Sequence, residues 1–326
     1  MNTNADIPVI SLAALRGDDP AAIEATARAF GAALENIGFA TIVDHGVPPD
    51  EVSALYGQAK QFFTIPLERK LECTVPEKAK GHGYLPMGIE SVAATLHGEE
   101  APDLCEALVF IRPQSEGVDL RGRRNLWPSD MPELKDAVLT YFGHLSDLAQ
   151  NLYKLSEIAL DLPKGYLTPY FKEPAFTLRL ANYPEQKVAP KPGQLRYGAH
   201  HDYGGLTILH QDDAPGGLQV RDRSGRWLDV PHRPGAFIIN VGDLLSRWTN
   251  DRWRSTLHRV MNPPGDVTGA TQRLSIVFFT GPDSRSEISV LPSCVSEDNP
   301  GKYEPVIAGE YTRAKVAASH NLQKAS

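Results

Sequence analysis

Apolar residues in the first half of the chain recur every three to four positions, which is the spacing of amphipathic helices. Three such segments are predicted as helices, at residues 20–37, 49–65 and 132–160. The first has a capping residue in Asp19, a proline at its first position in Pro20, and a terminating Gly38. The longest is expected to be the helix on which the others pack.

After Pro163 the apolar residues form short segments that are rich in β-branched and aromatic side chains and are divided by glycine and proline. Eight strands are predicted, near residues 176–183, 194–200, 206–211, 217–221, 226–230, 236–240, 255–260 and 272–280. Ser224-Gly225 is a hairpin signal between two of them. This pattern predicts two facing sheets, a sandwich or jelly roll.

Three further strands are expected before the long helix, at residues 7–12, 39–43 and 107–111, whereas residues 81–86 are interpreted as irregular chain. No internal repeat or flexible linker is evident, so one domain over 1–326 is predicted. Its parts are a mostly helical region at 1–165 with flanking strands, a jelly-roll core at 166–285 and a C-terminal segment at 286–326. A terminal helix is expected from Tyr311 to Leu322.

Composition narrows the possible partners. The 326 residues carry a formal net charge of −7, which argues against a nucleic-acid or anionic membrane surface. No apolar run approaches the ~20 residues of a membrane span, and Met1 to Asp6 lack the pattern of a signal peptide. Cys73, Cys105 and Cys294 have no paired spacing and are interpreted as reduced thiols. A soluble, cytoplasmic protein is expected.

Candidate chemistry lies in the strand-turn-strand segment at residues 197–209. Alternate side chains of a strand share a face, so His200 and Asp202 are expected to point together and His201 to point away. His258, in a later predicted strand, is the best candidate for a third ligand. Two histidines and one carboxylate on one side of an ion form the facial triad of non-haem iron(II) oxygenases. The alternative interpretation is a buried hydrogen-bonded network.

A second pair of polar residues follows at Arg273 and Ser275, again two positions apart on a predicted strand. A guanidinium and a hydroxyl on one face are suited to holding a carboxylate. Tyr183 could add a further hydroxyl. Arg179 has two interpretations, a contact to an acidic substrate group or a surface salt bridge.

Motif blocks in a consistent order resemble the iron(II)- and 2-oxoglutarate-dependent oxygenases of the isopenicillin N synthase-like family, over nearly the whole chain. The blocks that carry the resemblance are residues 7–10, 38–48, 125–128, 198–204, 216–220, 240–243, 258–260 and 273–275. Three features depart from the family pattern: Ala181 where asparagine is frequent, Asp44 in place of asparagine, and a longer hairpin from Asn262 to Gln272.

The resemblance implies a mainly β fold with a helical flank, a distorted double-stranded β-helix of the cupin-like jelly-roll type. It implies iron bound by His200, Asp202 and His258. It also implies that Arg273 and Ser275 hold the distal carboxylate of 2-oxoglutarate, with Tyr183 as a cosubstrate or substrate contact.

The expected activity is oxidative decarboxylation of 2-oxoglutarate by O2, coupled to hydroxylation, desaturation or cyclisation of a small molecule, in secondary metabolism. One alternative is an isopenicillin N synthase-type oxidase that uses no 2-oxoglutarate, since such enzymes keep an Arg-x-Ser pair. Another is a jelly-roll protein that binds metal without catalysis. The substrate is expected to be shaped by residues 81–112 and by the segment after Gly281, and the oligomeric state is not predicted.

Overall fold

The three long helices each begin at a proline. In the computed structural model, which describes residues 7–75, 81–97, 101–113, 123–265 and 271–319, Asp19 Oδ1 accepts a hydrogen bond from the Ala21 N–H at 3.0 Å. The α-helices are α1 (Pro20–Asn36), α2 (Pro49–Thr64), α3 (Leu67–Leu71), α4 (Ala94–His97), α5 (Pro132–Ala159), α6 (Asp243–Trp248) and α7 (Ala308–Ser319). The three long predicted helices are confirmed as α1, α2 and α5.

The strands also follow the predicted pattern. They are β1 (Val9–Ser11), β2 (Phe39–Val43), β3 (Gly83–Leu85), β4 (Glu106–Ile111), β5 (Thr177–Tyr183), β6 (Tyr197–His200), β7 (Leu206–Gln211), β8 (Gly217–Arg221), β9 (Trp227–Asp229), β10 (Phe237–Val241), β11 (His258–Met261), β12 (Arg273–Phe279), β13 (Glu287–Ile288) and β14 (Val306–Ile307). All eight strands predicted after Pro163 are present as β5 to β12.

Two predictions about local structure need correction. Residues 81–86 are not wholly irregular, because β3 pairs with β4 through Tyr84 and Leu108. Glycine and proline interrupt the apolar residues of this segment, so only the pairing with β4 defines the strand. The terminal helix begins earlier than Tyr311, at Ala308, and residues 320–322 of that prediction lie outside the described part of the chain, as do residues 266–270 of the predicted hairpin.

The eight core strands are divided between two sheets, and consecutive strands lie in opposite sheets except for β8 and β9, which pair with each other. The larger sheet has the order β1-β2-β10-β7-β12-β5-β4-β3, and the smaller has the order β6-β11-β8-β9. Apart from β1 with β2, the strand pairs described within these sheets are antiparallel. The double-stranded β-helix expected for this chain is therefore the observed fold.

The main apolar core lies between the larger sheet and the helices. Side chains on one face of β12, among them Leu274, Ile276 and Phe278, pack there with buried residues of α1, α2 and α5. Helices α1 and α5 approach closely at Gly31, where an added Cβ would stand 2.9 Å from the Ala159 Cβ. The opposite face of the larger sheet is left for the space between the sheets.

The three cysteines are free and buried, as the reduced-thiol interpretation requires. No helix among the described residues is both long and apolar enough to span a membrane. The division of the chain at residues 165 and 285 within one domain stays a prediction.

Candidate metal centre

The two histidines of the predicted triad face each other across neighbouring strands. His200 ends β6 and His258 begins β11, and the two residues are direct register partners in the antiparallel pair. Their ring centroids are 4.2 Å apart, and both residues are buried. Strand pairing therefore brings together two side chains that are 58 positions apart in the sequence.

Backbone carbonyls determine which nitrogen of each ring is available. His200 Nδ1 lies 2.9 Å from the Gly198 oxygen, and His258 Nδ1 lies 2.9 Å from the Thr256 oxygen. A carbonyl oxygen can only accept, so each Nδ1 carries the proton and each Nε2 keeps its lone pair. This is the supporting arrangement that metal-binding histidines commonly have.

Asp202 completes the group. Its Oδ1 lies 3.6 Å from Nε2 of both His200 and His258. Its Oδ2 accepts hydrogen bonds of 2.6 Å from the Thr207 hydroxyl and from the Asn240 side-chain amide. Because one oxygen is held by these two donors, the other is directed at the imidazoles. Asp202 itself lies just beyond the end of β6, so strand alternation alone does not place it.

Burial and neighbouring charges set the protonation states. Burial, followed by the charge of His200, lowers the pKa of His258 to about 4, so its imidazole is neutral near pH 7. Burial by itself would raise the pKa of Asp202, but the His258 and His200 rings and the Thr207 hydroxyl outweigh it and hold this pKa below its usual range. The result is a neutral imidazole beside an ionised carboxylate.

This donor set fits a divalent ion. The three ligand atoms lie within 4.8 Å of one another. Adjacent ligands at about 2.1 Å from an ion stand about 3 Å apart, so the observed 3.6 Å separations require only a small contraction. All three residues line a cavity of about 630 Å³, which leaves space for exogenous ligands on the open side of the ion.

The larger sheet contributes side chains to this cavity in rows across β4, β5, β12 and β7. From the Arg273 end, the cavity rows are Tyr183 with Arg273; Ala181, Ser275 and Gln211; Val109, Arg179, Val277 and Leu209; and Ile111, Thr177, Phe279 and Thr207. Successive rows are two residues apart, or about 7 Å along a strand. Arg273 and Ser275 thus lie on the same wall of the cavity.

Arg273 is buried, with 3% of its surface exposed, and its two Nη atoms have partners in residues 211–214. Its Nη2 donates to Gln211 Oε1 at 2.6 Å, and its Nη1 donates to the Ala214 carbonyl at 3.2 Å. Its buried Nε has no hydrogen-bond partner among the described residues. Tyr183 stands opposite Arg273 in the register, and burial raises the pKa of its phenol, which stays protonated near pH 7.

Two other candidates line the same cavity but have partners outside the triad. His201 Nδ1 is 3.1 Å from the Ser255 hydroxyl and does not belong to the triad, as predicted. Arg179 is not in a surface salt bridge, because it is buried and paired with Glu90. Residues 81–112 and the segment after Gly281 both contribute to the cavity lining, as expected, the latter largely through α7.

Sequence reasoning missed several residues of the site. Thr207 and Asn240 support Asp202, and both lie inside segments already singled out for the ligands or the resemblance. Glu90 and Asp103 lie in residues 81–112, the segment expected to shape the substrate, but neither residue was singled out. Asp103 accepts hydrogen bonds from the Val92 and Gly198 N–H groups, and it connects the loop that carries Glu90 to the strand of His200. Burial raises the pKa of Asp103 to about 6.

A double-stranded β-helix that encloses two histidines and a carboxylate is the arrangement of non-haem iron oxygenases. Comparisons with known proteins agree. The family described as "2OG-Fe(II) oxygenase superfamily" matches residues 175–282, and the family described as "non-haem dioxygenase in morphine synthesis N-terminal" matches residues 7–132.

The relatives align over most of their length. The 2-oxoglutarate-Fe(II) type oxidoreductase hxnY of Emericella nidulans is 30% identical, covering 98% of this chain and 91% of its own. The proline hydroxylase buaE of Petromyces alliaceus is 31% identical, covering 92% and 95%. A full-length Neurospora crassa protein crystallised with alpha-KG and thymine has a TM-score of 0.86 and 30% identity, covering 97% and 98%.

The chain belongs to the 2OG-Fe(II) oxygenase superfamily. It is an iron(II)- and 2-oxoglutarate-dependent dioxygenase, and iron(II), 2-oxoglutarate and O2 are its cofactor and cosubstrates. No finding favours the oxidase without 2-oxoglutarate or the non-catalytic jelly-roll protein.

Proposed function

We propose that His200, Asp202 and His258 bind the iron, that Arg273 and Ser275 hold the distal carboxylate of 2-oxoglutarate, and that Tyr183 contacts the cosubstrate or the substrate. The observation that carries this proposal is the orientation of the triad. Two imidazoles with their Nδ1 protons on backbone carbonyls direct both Nε2 atoms at one oxygen of Asp202.

Arg273 fits a cosubstrate carboxylate for two reasons. Its buried Nε is unpartnered among the described residues, so it can donate to an incoming oxygen. Ser275 lies in the next cavity row on the same face of β12. In that row the methyl side chain of Ala181 cannot form a hydrogen bond to the cosubstrate, but Gln211 contributes a side-chain amide.

Iron(II) with 2-oxoglutarate and O2 supplies oxidative decarboxylation and the oxidation of an unactivated C–H bond. The protein's residues bind and orient. Neutral imidazoles and one carboxylate leave the site with about one positive charge, which favours a dianionic oxo acid. Apolar side chains such as Val109, Val277 and Phe279 keep the rest of the cavity suited to an organic substrate.

The substrate is proposed to be a diffusible small molecule of secondary metabolism, oxidised in the cytoplasm. The size of the cavity, about 630 Å³, supports this because small-molecule sites occupy about 300–1,000 Å³. Solved relatives support it as well, since the Neurospora crassa protein has been crystallised with thymine and JOX2 with JA.

Anaerobic mixing with iron(II) and 2-oxoglutarate tests the residue roles. The unchanged protein should develop a visible metal-to-ligand charge-transfer band. Arg273→Met should raise the 2-oxoglutarate concentration needed for that band by 100-fold or more, because two charge-assisted bonds of about 1.5–3 kcal/mol each are lost. Arg285→Met, which removes the exposed partner of the buried Asp283, is the control and should leave that concentration unchanged.

His258→Ala should abolish the band while the far-ultraviolet circular dichroism stays native. A fully formed band in His258→Ala, or an unaltered 2-oxoglutarate affinity in Arg273→Met, would contradict these assignments. Formation of succinate in step with O2 consumption separates this activity from that of an oxidase that uses no oxo acid.

A further inference from the structure

A buried ion pair lies in the cavity wall, apart from the cosubstrate residues. Arg179 Nη1 donates to Glu90 Oε1 at 2.9 Å, and its Nη2 donates to Glu90 Oε2 at 2.6 Å. Each residue has 8% of its surface exposed, and both line the cavity. The pair is therefore bidentate and largely removed from bulk water, yet it is placed where a substrate can reach it.

The sheet register separates this pair from Arg273. Arg179 and Tyr183 are four residues apart on β5, which is about 13 Å along the strand, and Tyr183 is the residue opposite Arg273. Arg179 is therefore two cavity rows away from Arg273. Arg179 thus belongs to a different part of the cavity from the proposed 2-oxoglutarate clamp.

Ring contacts connect the pair to the metal centre. The Arg179 Cζ atom lies 5.2 Å from the centre of the Tyr197 ring, and the Tyr197 hydroxyl donates to Glu90 Oε1 at 3.4 Å. The same tyrosine ring contacts the His200 ring edge to face at 4.9 Å. A ligand held by the pair is therefore one ring contact away from a proposed iron ligand.

Charge decides what such a ligand can be. Glu90 neutralises Arg179, so an anionic ligand group would have to displace the Glu90 carboxylate or lie beside it and be repelled. A cationic ligand group would be repelled by the Arg179 guanidinium. Breaking a buried pair is strongly unfavourable because it leaves an uncompensated charge. A neutral group with an adjacent donor and acceptor avoids both costs, since it can accept from the guanidinium and donate to the carboxylate.

We propose that the Glu90–Arg179 pair binds a neutral amide or ureide edge, –C(=O)–NH–, of the substrate. Val109 and Val277 flank Arg179 in its cavity row, and they pack against the apolar part of the same molecule. This inference rests on the proposed function, because it takes the triad to be the iron site. It assigns the substrate to the class of small lactams, cyclic ureides and related amides.

The test follows the iron(II)–2-oxoglutarate absorption band under anaerobic conditions while small probes are added. Thymine and 2-piperidone carry the amide edge, 1,3-dimethylthymine lacks the donors, and benzoate is a carboxylate of similar size. Thymine or 2-piperidone should shift the band at a concentration at least tenfold lower than 1,3-dimethylthymine or benzoate. A response from neither amide, or an equal or stronger response to benzoate, overturns the proposal.

Variants give a second readout. Glu90→Gln keeps the shape but leaves Arg179 as an uncompensated cation, so benzoate should bind at least tenfold more tightly than it binds the unchanged protein. Arg179→Lys keeps the charge but removes the planar donors, and it should reduce the preference for amide probes at least tenfold. Unaltered selectivity in both variants overturns the proposal.

The matched control is Glu106→Gln. Glu106 belongs to the buried pair with Lys70, at 2.8 Å, and does not line the cavity. Its substitution removes a buried carboxylate of the same kind and should leave probe selectivity unchanged. The band itself forms before any probe is added, so failure of the proposed function, with no band, is distinguishable from failure of this inference, with a normal band and the wrong selectivity.

Discussion

Two donors to the far oxygen of Asp202 provide a sharp test of the metal centre. Thr207 and Asn240 are register partners on β7 and β10, and each donates a 2.6 Å hydrogen bond to Asp202 Oδ2. Neither belongs to the metal-ligating group. Thr207→Val removes one donor with almost no change in volume, and Asn240→Ala removes the other.

The expected effect follows from the strength of hydrogen bonds to charged groups, about 1.5–3 kcal/mol each. Without one donor, the carboxylate is less stabilised as an anion and freer to turn away from the imidazoles. At 1.4 kcal/mol per tenfold, iron(II) affinity should fall about 10- to 100-fold in each single variant, which is also the usual range for residues that support metal ligands.

Anaerobic titration of iron(II) at saturating 2-oxoglutarate measures this affinity through the charge-transfer band. Thr249→Val is the control, because Thr249 is fully buried and its hydroxyl bonds backbone groups, including the Leu245 carbonyl at 3.0 Å. It should lower stability and leave iron affinity unchanged. Iron affinity within twofold of the unchanged protein in both Thr207→Val and Asn240→Ala would refute the reasoning.

Three further predictions concern packing, pH and the C-terminal helix. Gly31→Ala should destabilise the protein by about 1–3 kcal/mol in urea denaturation, because α1 and α5 touch there. Gly143→Ala, with open space around it, should stabilise the protein by about 0.5–1 kcal/mol. A stability change of the same sign in both variants would contradict the packing described. Burial lowers the pKa of His210 to about 4, so folding favours the neutral ring, and this contribution to stability is lost as the pH falls from about 6.5 to 4. The unfolding free energy of His210→Gln should therefore fall less over that range than that of the unchanged protein, by up to about 3 kcal/mol. An unchanged pH slope would count against this prediction. Lys315→Met breaks a half-exposed 2.6 Å contact between α7 and Asp243, which is worth about 0.2–1 kcal/mol. The KM for substrate should therefore rise no more than about fivefold, with kcat unchanged. A loss of kcat would show that the contact does more than hold the helix.

Much of the site could be predicted because its residues lie on strands with a period of two. Arg273 and Ser275 share a face for this reason, and the structure places both on the cavity wall. His200 and Asp202 point together as predicted, but Asp202 lies beyond the end of β6, and its orientation depends on the donors that hold its other oxygen. The roles of these residues as ligands stay predictions until iron and 2-oxoglutarate binding are measured.

The substrate side of the cavity could not be predicted in the same way. Glu90 lies in a loop without periodicity, 89 positions before its partner Arg179, and nothing in its local sequence indicates a buried carboxylate. β3 lies in a segment that glycine and proline interrupt, and it is defined by its pairing with β4. In both cases the determining interaction is between segments distant in the sequence, which local patterns do not contain.

The alternation along β12 also limits how this protein can be re-engineered. One face of the strand carries Arg273, Ser275, Val277 and Phe279 to the cavity, and the other carries residues of the helical core. Inserting or deleting a single residue would exchange the two faces, burying an arginine among apolar side chains and removing the proposed cosubstrate and substrate contacts together. Substitutions at Val277 and Phe279 leave the alternation intact. The substrate range can therefore be altered by replacing side chains along this strand but not by changing its length.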